Sequence, residues 1–152
     1  MEVRIMKVIR VRKNDLGVIN EILTHHIDDS DKRAEMPSLS YLEELLNDDR
    51  TYLLAALSSD TVTGYALAYR FPSLYASEYL AYLYDIEVAV ENRRQGIGRL
   101  LVENLLAHLK FDGVKEVWLG TAVDNVEGQA LFHATGALKS GEIFNDYTYY
   151  LV

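Results

Sequence analysis

The 152-residue chain contains no cysteine. Disulfides, thiolate metal sites and a covalent cysteine acyl-enzyme are therefore excluded together, and any acyl transfer is direct or uses a hydroxyl. No apolar run approaches the ~20 residues that a membrane-spanning helix needs. The start, Met1 to Lys7, alternates charged and apolar residues and lacks the continuous apolar segment of a targeting signal. A cytoplasmic location is expected. Basic residues are few: 15 Lys and Arg stand against 23 Asp and Glu, a net charge of -8. That balance argues against nucleic acid and anionic membranes, which need a basic face, and favours a cationic partner. No repeat, linker or low-complexity segment divides the sequence. Its length suits one domain, residues 1–152, with one active site.

What is present reads as alternating strands and helices. Residues 3–11 form a first strand by pattern, and Asn14 or Asp15 can cap a helix that lines up Leu16, Ile19, Ile22 and Leu23. His25, His26 and the acidic positions Asp28, Asp29 and Asp31 break the apolar period, which reads as a loop; the two histidines lack a third ligand at metal spacing, so no metal site is expected. Ser40 with Glu43 makes a capping box for a second helix burying Leu42, Leu45 and Leu46. Residues 51–58 and 63–71 read as a hairpin, and 79–90 as a further long strand. Leu100, Leu101, Leu105, Leu106 and Leu109 then recur at helical spacing until Gly113 stops the run. A strand over 116–123, a short helix over 127–135 and a tyrosine-rich strand over 143–152 complete an α/β unit with a mixed sheet.

The most informative stretch is Arg93, Arg94, Gln95, Gly96, Ile97, Gly98 and Arg99, between a strand and a helix. Glycines let the backbone approach a ligand, and the free amides and dipole of the following helix attract an anion such as phosphate. A dinucleotide fingerprint would need a third glycine where Leu101 stands, and a Walker loop needs Gly-Lys-Ser/Thr, which is missing.

The loop resembles the central Arg/Gln-x-x-Gly-x-Gly/Ala motif of the GCN5-related N-acetyltransferases (GNAT), met by Arg93, Gly96 and Gly98. Val88 and Val90 before it, and Asn125, Leu131 and Gly136 after it, also fall where that family has them. The resemblance implies the GNAT fold, a mixed, mostly antiparallel sheet of about six to seven strands flanked by about four helices, and acetyl-CoA as cofactor. It further implies that the amides between Arg94 and Arg99 hold the cofactor's pyrophosphate. Val88 and Val90 would pair with its pantetheine arm, and Asn125 would bind the arm from the neighbouring strand. Ile86 or Val88 would offer the backbone N–H that polarises the thioester carbonyl.

The pattern breaks at Phe132, where the family commonly has its tyrosine acid; a phenyl ring cannot donate a proton. Tyr147 and Tyr149 are candidate replacements, and the alternative is that the thiolate, of thiol pKa near ~8.5, leaves unaided. For the base, the family's strand parity points to Tyr82 and Tyr84, with Asp85 and Glu87 one step out of phase unless a bulge turns them to the cleft. The runs 52–57, 64–69, 82–88 and 93–97 resemble the aminoglycoside 3-N-acetyltransferases of the GNAT type, which share the pair matched by Tyr84 and Asp85. This implies acetylation of a primary amine on a cationic small molecule, an aminoglycoside above all, with resistance as the consequence. Acidic residues that could face such a cation are Asp28, Asp29, Asp31, Glu35, Asp124 and Asp146. A polyamine, a peptide N-terminus or another amine metabolite is the alternative acceptor, and a non-catalytic acyl-CoA-binding regulatory domain is the reading from another class. Dimers are common in the resembled family.

Overall fold

A computed structural model describes residues 6–27 and 35–151. Five strands lie in simple sequence order: β1 (Met6–Arg10), β2 (Thr51–Ser58), β3 (Thr61–Pro72), β4 (Tyr79–Val88) and β5 (Val114–Trp118). The first three pairings are antiparallel, and β4 with β5 is parallel. The helices are α1 (Leu16–Glu21), continued by a π-helical turn at Ile22–His26, then α2 (Leu39–Asn47), α3 (Ile97–Phe111) and α4 (Val126–Ala134). A mixed, mostly antiparallel sheet flanked by helices matches the architecture expected above, with five strands among the described residues where six to seven were expected.

The side chains of a strand alternate between faces, and the two faces of this sheet build two cores. Tyr52, Leu54, Ala66, Ala68, Ala81 and Leu83 pack beneath Ile97, Leu101, Leu105 and Leu109 of α3. Leu53, Ala55, Leu57, Tyr65 and Val62 face Ile19, Ile22, Leu42 and Leu46 of α1 and α2. Gly64 permits the close layering on the α3 side: a Cβ there would stand 2.7 Å from the Glu87 carbonyl oxygen and 3.3 Å from Leu101. The hairpin between β2 and β3 needs only two loop residues, Ser59 and Asp60, both with positive φ, as type I′ turns require.

Several sequence expectations are corrected. The cap of α2 is Ser38, two residues before Ser40, because the helix starts at Leu39; the Ser38 hydroxyl accepts from the Tyr41 amide. Asp15 precedes α1, yet its carboxylate accepts from the Arg12 amide and caps no helical N–H. Leu16 stays partly exposed. β4 ends at Val88, and Val90 opens a 3-10 turn, Val90–Asn92, with its side chain in solvent. β5 stops at Trp118 instead of reaching 123. The expected strand over 143–152 is not formed: 137–151 has no regular secondary structure, and Val152 lies outside the described residues.

Candidate active site

The bulge that the sequence reading required is present in β4. Leu67 pairs with Asp85 while its neighbour Ala68 pairs with Leu83, so Tyr84 is an extra residue in the ladder. Parity flips there. Ala81 and Leu83 face α3 before the bulge, whereas Ile86 and Val88 do so after it. Asp85 consequently turns to the α1 and α2 side, where the Tyr65 hydroxyl donates to its Oδ2 at 2.5 Å. Tyr84 is itself pushed outward, 66 % exposed, with its ring edge-on to Tyr69 at 6.0 Å between centroids. Burial first, and the nearby Tyr41 and Tyr84 after it, raise the Tyr69 pKa, so that hydroxyl keeps its proton at neutral pH.

The same bulge lies where β4 and β5 part. Their pairing runs from Tyr79 with Val114 to Tyr82 with Trp118 and stops, leaving β4 from Leu83 onward without a neighbour on that side. In an antiparallel ladder, alternate residues direct their N–H and C=O groups to one neighbour and then to the opposite side. The Ala89 amide donates to the Thr63 carbonyl at 2.9 Å, which assigns the odd residues 85, 87 and 89 to β3. The amides of Ile86 and Val88 therefore point into the gap left by β5.

A cleft of about 470 Å³ opens on the α1 and α2 side at this point, with Asp85 and Tyr84 in a wall otherwise built from apolar residues such as Ile22, Leu23, Leu42 and Leu67. A second cleft is lined by Glu87, Arg93, Glu21, His25 and His26. There the Glu87 carboxylate and the Arg93 guanidinium pair at 2.9 Å, and Arg93 Nε donates to the Val88 carbonyl. Arg93 thus fastens the loop to the end of β4. Arg94 lies 3.9 Å from Glu127, and Arg99 pairs with Glu103 one turn along α3.

The loop from Arg93 to Arg99 has the form of an anion cradle. Gly96 is the N-cap of α3 with φ of 79°, the left-handed region that glycine tolerates, and Arg94 has φ of 60°. A Cβ at Gly96 would meet nothing within 4 Å, so the surface before it is open. The first amides of α3 have no acceptor within the helix. Gly98 faces inward, where a Cβ would come within 3.1 Å of Leu131 and 3.8 Å of Val88, and so brings the helix start against the end of β4. An acyl-CoA fits these residues: a phosphate cradle, an open strand edge with two inward amides, and a carboxylate on the other face of the same strand.

The remaining candidates separate. Asn125 is occupied as the cap of α4: its Oδ1 accepts from the Gly128 amide and its Nδ2 donates to Thr121. A Cβ at Gly128 would meet the Asn125 side chain at 2.4 Å, so a larger residue there would displace the cap. Phe132 packs against the α3-side core, which accounts for a phenyl ring at that position. Tyr82 is partly exposed on the same strand, close to Gly120. Asp124 and Glu35 are exposed, as are Asp146 and Tyr147, and none of the four lines either cleft. Asp28, Asp29 and Asp31 lie outside the described residues. Tyr65, the partner of Asp85, went unnoticed in the sequence; the only available signal was its place in the strand that pairs with β4.

A sequence profile described as the acetyltransferase (GNAT) family matches residues 19–137. Among curated proteins, the chain is 34% identical over 67 residues to N-acetyltransferase family 8 member 3 of Mus musculus, covering 44% of this chain and 29% of that protein. It is 38% identical over 56 residues to the [ribosomal protein bS18]-alanine N-acetyltransferase of Escherichia coli (strain K12), covering 37% of this chain and 38% of that one. These matches thus span well under half the length of the relatives. Among solved structures, an aminoglycoside acetyltransferase from an uncultured soil metagenomic sample, in complex with sisomicin, superposes with a TM-score of 0.81 at 23% identity, over 95% of this chain and 96% of the other. At that identity the likeness is one of fold.

Proposed function

Because the chain belongs to the acetyltransferase (GNAT) family, we propose that it moves an acetyl group from acetyl-CoA directly to a primary amine of a cationic small molecule. The observation that carries this reading is the β4 bulge, which sets Asp85 on one face of the strand and the inward amides of Ile86 and Val88 beside it. Acetyl-CoA supplies the acyl group as an activated thioester. The amides from Arg94 to Arg99 would hold its pyrophosphate, and the Ile86 and Val88 amides would align the pantetheine arm and offer donors to the acyl oxygen. Asp85 binds the incoming ammonium and accepts its proton, since an amine must be neutral to attack. Tyr65 holds the carboxylate in that orientation. Glu87, paired with Arg93, positions the loop instead of acting on substrate. With Phe132 in the core, the thiolate leaves without a tyrosine acid at that position.

An aminoglycoside is the first candidate acceptor. The net charge of -8 would attract such a polycation, the runs around Tyr84 and Asp85 resemble the 3-N-acetylating enzymes, and an aminoglycoside acetyltransferase shares the fold. The apolar lining of the 470 Å³ cleft favours a second reading, an amine that carries an apolar group close by, as the N-terminus of a peptide does. Incubation of aminoglycosides, polyamines, peptides and arylalkylamines with acetyl-CoA, read by thiol release, tests both. The cysteine-free chain gives no thiol background. Turnover of at least one amine is expected; CoA binding with no turnover of any would instead support a regulatory acyl-CoA-binding domain.

A further inference from the structure

The two faces of the sheet are covered unequally. On one side α3 lies over β4, and Phe132 of α4 packs against the same core. On the other side the core partners of α1 and α2 come from β1, β2 and β3. Among the described residues no helix packs its core side chains on that face of β4 and β5. Residues 137–151 are exposed throughout.

The bare face is aromatic. Ala81 and Leu83 face α3, so Tyr82 between them faces the other way; Val117 belongs to the α3 side, so Trp118 does not. Tyr69 pairs with Tyr82 and Tyr82 with Trp118, which sets three rings in a row across β3, β4 and β5. Phe71 tilts against Trp118 at 6.0 Å between centroids, and Tyr84 meets Tyr69 at the other side of the row. Trp118 stays 45 % exposed and Tyr82 38 %. The charged groups that border the row are acidic. One is Glu116, whose carboxylate accepts from Trp118 Nε1, and the other is Asp85 beyond the bulge.

The face of an aromatic ring is the negative end of its quadrupole and attracts a cation, and neighbouring carboxylates strengthen that attraction. Resting on the acetyl transfer described above, we propose that the row of Tyr69, Tyr82 and Trp118, with Glu116 at its edge, holds a second ammonium of the acceptor while Asp85 holds the amine that is acetylated. The row is continuous with the Asp85 cleft through Tyr84, which lines that cleft and touches Tyr69. Tyr82 precedes Asp85 by three residues of one bulged strand, a separation of ~7–10 Å. The site therefore selects a diamine or polyamine with its charges about that far apart over a monoamine of equal length.

Trp118 is the single tryptophan of the chain, so its emission reports on this face. Fluorescence titration of the whole chain, with CoA present so that no acetyl moves, compares 1,6-diaminohexane with hexylamine, which lacks the second amino group. The diamine is expected to change the emission and to bind about tenfold more tightly. Tyr82→Leu is expected to cut that advantage to about threefold or less, with its melting temperature reporting whether it folds. Trp118→Leu, read by calorimetry, repeats the test on a second exposed ring. Equal affinities in the wild-type chain, no binding of either amine, or an undiminished advantage in the folded variants would overturn the site. A particle mass that falls in both variants would do so too, by assigning the face to a second copy. The titration uses no turnover, so thiol release with a panel of amines judges the acetyl transfer separately from this site.

Discussion

At the residue scale, two buried or half-buried tyrosines each donate to an aspartate, and the two pairs serve different ends. Tyr65 donates to Asp85 inside the cleft, whereas Tyr52 donates to Asp112 at 2.6 Å beneath the stacked guanidinium of Arg10, on the opposite face of the sheet. Asp85→Asn keeps volume and an acceptor for Tyr65 while removing charge and basicity. Loss of a charge-assisted hydrogen bond to the amine corresponds to ~1.5–3 kcal/mol, about ten to a hundredfold in kcat/KM. A fall confined to KM would identify an anchor; a fall in kcat together with loss of the acidic limb of the pH profile would identify the base. Wild-type kinetics would remove Asp85 from the mechanism. For Tyr52, burial first and the Asp112 hydrogen bond second push the pKa up to about 12 from 10.0. The protonated hydroxyl is the form the fold favours, so its contribution is complete below pH 10 and disappears as pH rises through about 12. Melting temperature measured from pH 9 to 12 should fall less steeply in Tyr52→Phe than in wild type. The variant should also lose ~1–3 kcal/mol at neutral pH by removing a donor to Asp112.

At the element scale, the start of α3 combines two glycines with separate duties. Gly98 lets the helix approach Leu131 and Val88, so a side chain there disturbs packing before it disturbs a ligand. Gly96 faces open space at the helix N-cap. Gly96→Asp tests the cradle: the positive φ costs a side chain ~1–2 kcal/mol, which aspartate tolerates better than most residues, and its charge sits where pyrophosphate would bind. Calorimetry is expected to show CoA affinity reduced at least a hundredfold with a near-normal melting temperature. Undiminished affinity would refute the loop as the cofactor site. The β4 bulge is the other element-scale device, since one extra residue places carboxylate and amides on the two sides of a single strand.

At the scale of the whole molecule, a net charge of -8 sets a field that draws cations and repels acetyl-CoA. The two substrates should therefore respond to salt in opposite senses. Between 0.02 and 0.2 M salt, KM for a polycationic acceptor is expected to rise several-fold as screening shortens the reach of the field, while KM for acetyl-CoA stays level or falls. Equal responses would mean that local groups, and not the global charge, govern approach of the acceptor.

The sequence by itself determined the order of elements from the first strand to the last helix, the glycine loop and the family, because all of these are written in local period and spacing. The hairpin of β2 and β3, read with a turn over 59–62 where the structure uses only Ser59 and Asp60, the leucines of α3 and the stop at Gly113 were legible for the same reason. The faces of Asp85 and Glu87 were not. Strand parity counts residues in twos, and only the pairing of β4 with β3 reveals that Tyr84 is not counted. Likewise the capping role that Gly128 and Thr121 give Asn125 was not visible in the sequence. The tyrosines of 143–151 have the composition of a strand, but composition carries no information about which edge a strand will join. That choice belongs to tertiary structure, where hydrogen-bond partners distant in sequence compete for the same backbone groups.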